Sequence, residues 1–163
     1  MPPSHEHFEE GLGLFNRAHF FDAHEVLEDV WNSVPRDHIL RVHLQGMVQL
    51  AVAFHHQSTG NHVGAGSVLD RALRNLEGAD NSFPGIDLER LRSDLAPWQR
   101  YLDACVNARE NDRENASDAG DDQRGNSGKV RAPKPLMLPK IMLRPQISGD
   151  HIAHRLGLLK FIV

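Results

Sequence analysis

Apolar residues recur at helical spacing through roughly the first two thirds of the chain. Five segments place them three or four positions apart, which aligns them on one face of a helix. No segment alternates apolar and polar residues as a half-buried strand does. The pattern therefore predicts an all-α fold, a compact antiparallel bundle of about five helices joined by short loops. The segments run from Ser4 to Asn16, from Asp22 to before Pro35, from Asp37 to about Ser58, from Asn61 through Leu76, and from Asp87 onward.

The third of these segments is apolar on more than one side. Leu40, Leu44 and Met47 begin a broad stripe along it, and Val52 extends the apolar character around its circumference. Because such a helix is usually buried between others, we expect it at the centre of the bundle. Pro97 falls inside the fifth segment, and we expect it to kink or divide that helix.

The composition changes near Arg109. The stretch that follows is rich in Asp, Glu, Asn and Gly, and a second stretch contains four prolines between residues 129 and 146. Such sequences bury too little apolar surface to offset the entropy of ordering, and proline excludes a continuous helix. We therefore predict a helical domain over residues 4–109 and a low-complexity, proline-rich, disordered tail over residues 110–163.

Composition and charge exclude several classes of protein. Of 163 residues, 40% are hydrophobic and 25% are charged, and the formal net charge is -4. The single cysteine, Cys105, excludes a disulfide scaffold and a cysteine-rich zinc site, and the acidic balance argues against nucleic-acid binding. No apolar run reaches the ~20 residues of a transmembrane helix, and the start MPPSHEHFEE lacks the order of a signal peptide. These features lead us to expect a cytoplasmic protein.

The sharpest chemical pattern is FFDAHEVLEDVW, residues 20 to 31. His24 and Glu28 are four residues apart and therefore adjacent on one helix face, and Trp31 follows about one turn later. An imidazole and a carboxylate at this spacing can bind one divalent metal ion between them. Two ligands are too few for a tight site, so other helices must complete it.

The third helix offers candidates to complete such a site. Gln45, Gln49 and His56 form a narrow stripe beside the apolar one, and His55 lies at its other side. Because adjacent residues of a helix point to different faces, at most one of the two histidines is expected to join His24. Glutamine is a poor metal ligand, so Gln45 and Gln49 are expected to support the ligands through hydrogen bonds.

Structural explanations compete with the metal site. His24 and Glu28 can form a hydrogen-bonded pair that satisfies two half-buried groups, and Trp31 can be a core anchor. Asp22 followed by Glu25 resembles a capping box, which accounts for Glu25 without a catalytic role. The zinc-protease motif HExxH is not met, because Glu28 stands where the second histidine is required. No catalytic residue is assigned.

Three blocks of sequence resemble, in order, the bacterial and archaeal domain-of-unknown-function family 309 (DUF309): FNRAHFFDAHEVLEDVW, LQGMVQLAVAFHH and GNHVGAGSVLDRALRNL. The resemblance covers roughly residues 8 to 105. The family is built around an H-x-x-x-E-x-x-W/Y motif, whose positions correspond here to His24, Glu28 and Trp31. The resemblance implies a small all-helical domain without an assigned activity, in which the motif histidine and glutamate bind a metal ion.

Three functions therefore remain open. The first is a domain that binds a divalent metal ion through His24 and Glu28, with the reaction unassigned. The second is a non-catalytic homodimeric interaction module, in which His24, Glu28 and the glutamines form a buried polar network. The third is a pocket for a small-molecule ligand that the same residues orient.

Overall fold

The computed structural model describes residues 5–117, 133–134 and 136–144. These residues confirm the predicted all-α fold, an antiparallel bundle of five helices in which each helix packs against the next along the chain. Within them, no helix combines the length and the apolar character needed to cross a membrane. The helices are α1 (His5–Asn16), α2 (Phe20–Ser33), α3 (Ile39–Ser58), α4 (His62–Asn75) and α5 (Leu88–Ser117), with a 3-10 turn at Ala79–Asn81 between the last two.

Helix α2 begins at Phe20, two residues before the predicted start at Asp22. His19 is its N-cap and makes no side-chain capping hydrogen bond, so the helix does not start with a capping box. Asp22 instead lies in the first turn, where a carboxylate interacts favourably with the helix dipole. By contrast, α4 starts where the sequence predicts, because the Asn61 side chain accepts a hydrogen bond from the Gly64 amide at 3.0 Å.

Helix α3 is the central element, as predicted. Ten of its residues are buried, and it packs against both α2 and α4. Two glycines allow helices to approach closely. A Cβ atom at Gly46 of α3 would lie 2.8 Å from Leu76 Cγ, and one at Gly11 of α1 would lie 2.7 Å from Leu27 Cγ. The helices therefore approach each other closely where α1 meets α2 and where α3 meets the end of α4.

Helix α5 continues through Pro97 and extends to Ser117. Leu95, two residues before the proline, and Trp98, directly after it, are buried in the core. Their packing holds the helix together across the position that lacks an amide hydrogen. Pro97 therefore does not divide α5, and the helix includes residues 110–117, for which the sequence suggested disorder.

Part of the predicted tail also packs against the bundle. Ile141 is only 4% exposed and belongs to the same apolar core as the helices. The sequence pattern does not reveal this contact, because an extended segment that contributes one aliphatic side chain needs neither helical nor strand periodicity. The rest of the predicted tail, residues 118–132, 135 and 145–163, lies outside the described residues.

Candidate functional site

The residues of the motif line the contact between α2 and α3, which we call the α2–α3 seam. The helices are antiparallel, so the start of α2 lies beside the end of α3. At one end, the Phe21 ring lies 5.5 Å from that of His55, between ring centroids. At the other end, the Arg41 guanidinium lies 4.2 Å from the centre of the Trp31 ring. The seam thus comprises Phe21, His24, Glu28 and Trp31 of α2 with Arg41 and His55 of α3.

His24 and Glu28 form a close pair in the middle of α2. His24 Nε2 lies 3.1 Å from Glu28 Oε2, as the four-residue spacing predicts. The His24 side chain is 28% exposed and that of Glu28 is 43% exposed. The pair is therefore open to solvent and is not part of a buried network.

Arg41 holds the far end of the seam together. Its guanidinium stacks on Trp31 and donates hydrogen bonds to the carbonyl oxygens of Trp31 at 2.8 Å and Val34 at 2.6 Å. These carbonyls belong to the end of α2, where the helix leaves acceptors unsatisfied and where a positive charge is favourable. Trp31 Nε1 is buried and has no hydrogen-bond partner among the described residues. Trp31 is thus both a packing residue and a donor that the seam leaves unpaired.

Of the two candidate histidines on α3, His55 lies on the side of α2. The Phe21 ring neighbours both His55 and His24, with 6.1 Å between its centroid and that of the His24 ring. His56 lies towards the start of α4, where its Nδ1 is 3.4 Å from Asn61 Nδ2. The structure therefore places His55 on the side of α3 that faces α2, with Phe21 between it and His24, and places His56 on another face.

The two glutamines also differ. Gln49 Oε1 accepts a hydrogen bond of 2.9 Å from Asn75 Nδ2, so Gln49 is bonded to α4 and not to the pair on α2 that the sequence suggested. Gln45 is half-buried, and its predicted role in supporting the pair stays a prediction. Glu25 is exposed on α2. Of the two glutamines, Gln49 therefore has an identified partner, and that partner lies on α4.

The donor set fits a divalent ion only in part. A tetrahedral site with ligand bonds of ~2.0–2.1 Å places neighbouring donors about 3.3 Å apart, which matches the separation of His24 Nε2 and Glu28 Oε2. However, the described residues contain no group of three or more His, Cys, Asp or Glu side chains placed to hold one ion. Within that part of the chain the two motif residues are the available ligands, and water or a bound molecule has to supply the others.

Sequence reasoning did not single out His43, which is buried and is the third histidine of α3 beside His55 and His56. Its Nδ1 lies 2.6 Å from Ser82 Oγ, and burial lowers the pKa of the imidazole below its ordinary value of 6.5. The spacing did contain a signal, since His43 lies three residues after Leu40 and four before Met47, on the same apolar stripe. Its contacts assign it to the core and not to the seam.

Comparisons with known proteins agree with the family resemblance. Residues 8–68 match the family model described as "Domain of unknown function (DUF309)". An uncharacterized protein of Aquifex aeolicus (strain VF5) is 30% identical over 90 residues, which cover 55% of this chain and 27% of that protein. The chain thus spans about a quarter of the length of that relative. No solved structure matches the chain.

Proposed function

Residues 8–68 belong to the DUF309 family, and on this premise we propose that the α2–α3 seam binds a divalent metal ion through His24 Nε2 and Glu28. The remaining coordination positions are left to water and to a small-molecule ligand. The observation that carries the proposal is the 3.1 Å separation of the imidazole nitrogen and the carboxylate oxygen on one solvent-accessible helix face. This separation is close to the ~3.3 Å between neighbouring ligands of a tetrahedral ion, and it equals that of a direct hydrogen bond in the absence of metal.

Two features of the seam support this assignment. The partial exposure of both side chains allows a hydrated ion to reach them without unfolding. His55 lies beside Phe21 on the neighbouring helix and is a candidate for a third ligand, a role that requires a change of rotamer. Two protein ligands predict weak binding, so the site is suited to an exchangeable ion.

The members of the seam have different roles in this proposal. His24 and Glu28 hold the ion, Phe21 separates the two histidine rings, and Arg41 fixes the end of α2 from which Trp31 projects. A bound divalent ion would supply an acidified water molecule near neutral pH. No substrate or reaction is assigned to that water.

Metal titration of the full chain without a polyhistidine tag tests the proposal. The protein is first stripped with a chelator, and Zn²⁺, Co²⁺ and Mn²⁺ binding is then measured by calorimetry and by the visible absorption of Co²⁺. We expect His24→Ala and Glu28→Gln each to weaken binding roughly tenfold or more. His55→Ala weakens it less if the imidazole joins the site only after a rotamer change.

A matched control exists in α1. His5 and Glu9 have the same four-residue spacing, with 3.8 Å between His5 Nδ1 and Glu9 Oε1, but they are not part of the motif. His5→Ala should leave metal binding unchanged. Binding that survives His24→Ala, or that falls equally in His5→Ala, contradicts the proposal.

A second candidate function is a homodimeric interaction module, which is favoured by the exposure of Phe21. This ring is 51% exposed beside His24, and pairing two copies over it would cover the His24–Glu28 pair. Light scattering at high protein concentration tests this idea. A dimer that Phe21→Glu dissociates supports the module, and a strict monomer at all concentrations rejects it.

A further inference from the structure

Residues 136–144 lie across a groove on the helical bundle. The groove is made by the end of α1, the turn after α4, the loop at residues 83–87 and the middle of α5. Ile86 of the loop and Leu143 of the segment pair as an isolated antiparallel β-bridge. We call this surface the docking groove and define it by Asn16, Asp80, residues 83–87 and Trp98.

The docking groove contacts the main chain of the segment. The Asn16 side chain forms two hydrogen bonds with the main chain of Ile141. Its Nδ2 donates to the Ile141 carbonyl at 2.9 Å, and its Oδ1 accepts from the Ile141 amide at 2.8 Å. This mode of contact is typical of sites that recognise extended peptides. Three further hydrogen bonds run from the Asp87 amide to the Met142 carbonyl at 2.9 Å, from the Arg144 amide to the Gly85 carbonyl at 2.9 Å, and from Trp98 Nε1 to the Met137 carbonyl at 3.2 Å.

Few side chains of the segment are buried. Ile141 enters the core and Pro139 is also buried, whereas Met137 is 93% exposed and Leu143 is exposed too. A space of about 520 Å³ remains between the segment and α5. The segment therefore lies on the bundle as a bound peptide does, with an open cleft beside it and with Ile141 as the anchor that enters the core.

An acidic side chain adds selectivity at one end of the groove. Asp80 Oδ1 lies 3.7 Å from the Arg144 guanidinium, and Asp80 Oδ2 accepts a hydrogen bond of 2.9 Å from Arg92. The Asp80 carboxylate therefore favours a cationic residue three positions after Ile141. Arg92 holds it in place from the other side.

We propose that the docking groove is a peptide-binding site for extended segments with an aliphatic anchor and an arginine three residues later. Residues 136–144 are its intramolecular occupant and can be replaced by a peptide of the same chemistry. The hydrogen bonds to the main chain make the site tolerant of most side chains, while the Ile141 position and Asp80 select the anchor and the following charge.

Releasing the segment in the full chain tests the proposal. In Ile141→Asp a carboxylate replaces the buried anchor, which disfavours docking of the chain's own segment. A fluorescent peptide of residues 133–146 should then bind this variant. It should bind the unmodified chain roughly tenfold more weakly or worse, because the tethered segment competes at high effective concentration.

Peptide variants define the specificity. A peptide with Ile141→Asp should lose roughly tenfold or more in affinity, since an aliphatic anchor is no longer buried. One with Arg144→Ala should lose about two- to fivefold, and the control peptide with Met137→Glu should bind as well as the parent. If the parent peptide fails to bind the Ile141→Asp chain, or binds no better than the peptide without its anchor, the proposal is wrong.

A cleavable chain covers the case in which Ile141→Asp does not fold. A protease site inserted between residues 125 and 126 retains every residue that the docking groove contacts. After cleavage, the released fragment should co-elute with the bundle in gel filtration and should be displaced by excess peptide of residues 133–146. A fragment that separates at micromolar concentration, or that excess peptide never displaces, overturns the proposal.

Discussion

Helix α3 packs against α4 on one side and against α2 on the other, and the two contacts differ in kind. Towards α4 the helices meet at Gly46, and Gln49 is hydrogen-bonded to Asn75. Towards α2 the contact includes the buried rings of Phe20 and Phe54, and the seam, in which His24 and Glu28 remain partly exposed. The difference is that polar groups are paired between helices on the α4 side, whereas the His24–Glu28 pair on the α2 side stays accessible for binding.

The largest expected effect comes from filling the close approach between α3 and α4. In Gly46→Ala the new Cβ would lie 2.8 Å from Leu76 Cγ and 3.2 Å from the Ala72 carbonyl oxygen. Because the second of these is a backbone atom, relieving the contact requires α3 and α4 to move apart. We expect a loss of about 1–3 kcal/mol in the free energy of unfolding, measured by urea denaturation. The control is Gly66→Ala in α4, where the nearest atom is 3.9 Å away. This control should stabilise the chain by about 0.5–1 kcal/mol, and equal effects of the two variants would refute the tight contact.

The next effect concerns pH and the buried part of α3. Burial lowers the pKa of His43, so the folded state resists protonation at this site while the unfolded state accepts a proton. The stability that depends on a neutral His43 is fully present above pH 6.5. It is lost as the pH falls from there through the pKa of His43 in the folded state. We expect the unfolding free energy to fall less steeply below pH 6.5 in His43→Gln than in the unmodified chain.

A residual pH dependence should remain in His43→Gln. The pKa of His62 is also lowered, first by burial and then by the charge of Arg109, and it acts in the same direction. His62→Gln in the same background should remove part of that remainder. Parallel pH profiles for His43→Gln and the unmodified chain would show that His43 is not the group responsible.

A smaller effect is expected from the hydrogen bond between α3 and α4. A double-mutant cycle with Gln49→Ala and Asn75→Ala should give a coupling of about 0.5–1.5 kcal/mol, the range for a net hydrogen bond. The same cycle on His55 and Asn75 is the control, since the structure places His55 towards α2. A coupling within error of zero for Gln49 and Asn75 would remove the distinction between the two sides.

The smallest effect on stability is expected on the α2 side. With metal removed, His24→Ala and Glu28→Gln should each change the unfolding free energy by less than about 0.5 kcal/mol, because the pair is a partly exposed contact within one helix. Added metal should raise the Tm of the unmodified chain and leave that of both variants unchanged. A large loss of stability without metal would instead favour a structural role for the pair.

The sequence predicts relations within one helix better than relations between helices. The four-residue spacing placed His24 beside Glu28, and the apolar stripe identified α3 as central. Polar residues flank both edges of the apolar stripe of α3. Periodicity alone therefore does not show which edge faces α2 and which faces α4. For this reason it did not distinguish His55 from His56, and it placed Gln49 on the wrong side.

Two other features escaped prediction for physical reasons. His43 occupies a core position because one hydroxyl group, that of Ser82, satisfies it, and no local pattern encodes a partner 39 residues away. Ile141 reaches the core from a segment without helical or strand periodicity, held by hydrogen bonds to its main chain. Contacts made through main-chain atoms do not require a particular pattern of side chains, so the sequence does not reveal them.

The late position of Ile141 in the chain has a consequence for biosynthesis. The helices leave the ribosome first, and chains generally begin to fold from the amino-terminal side during translation. The cleft that receives Ile141 therefore stays uncovered on the nascent protein until residues 136–144 emerge. During that interval it presents an apolar surface to chaperones.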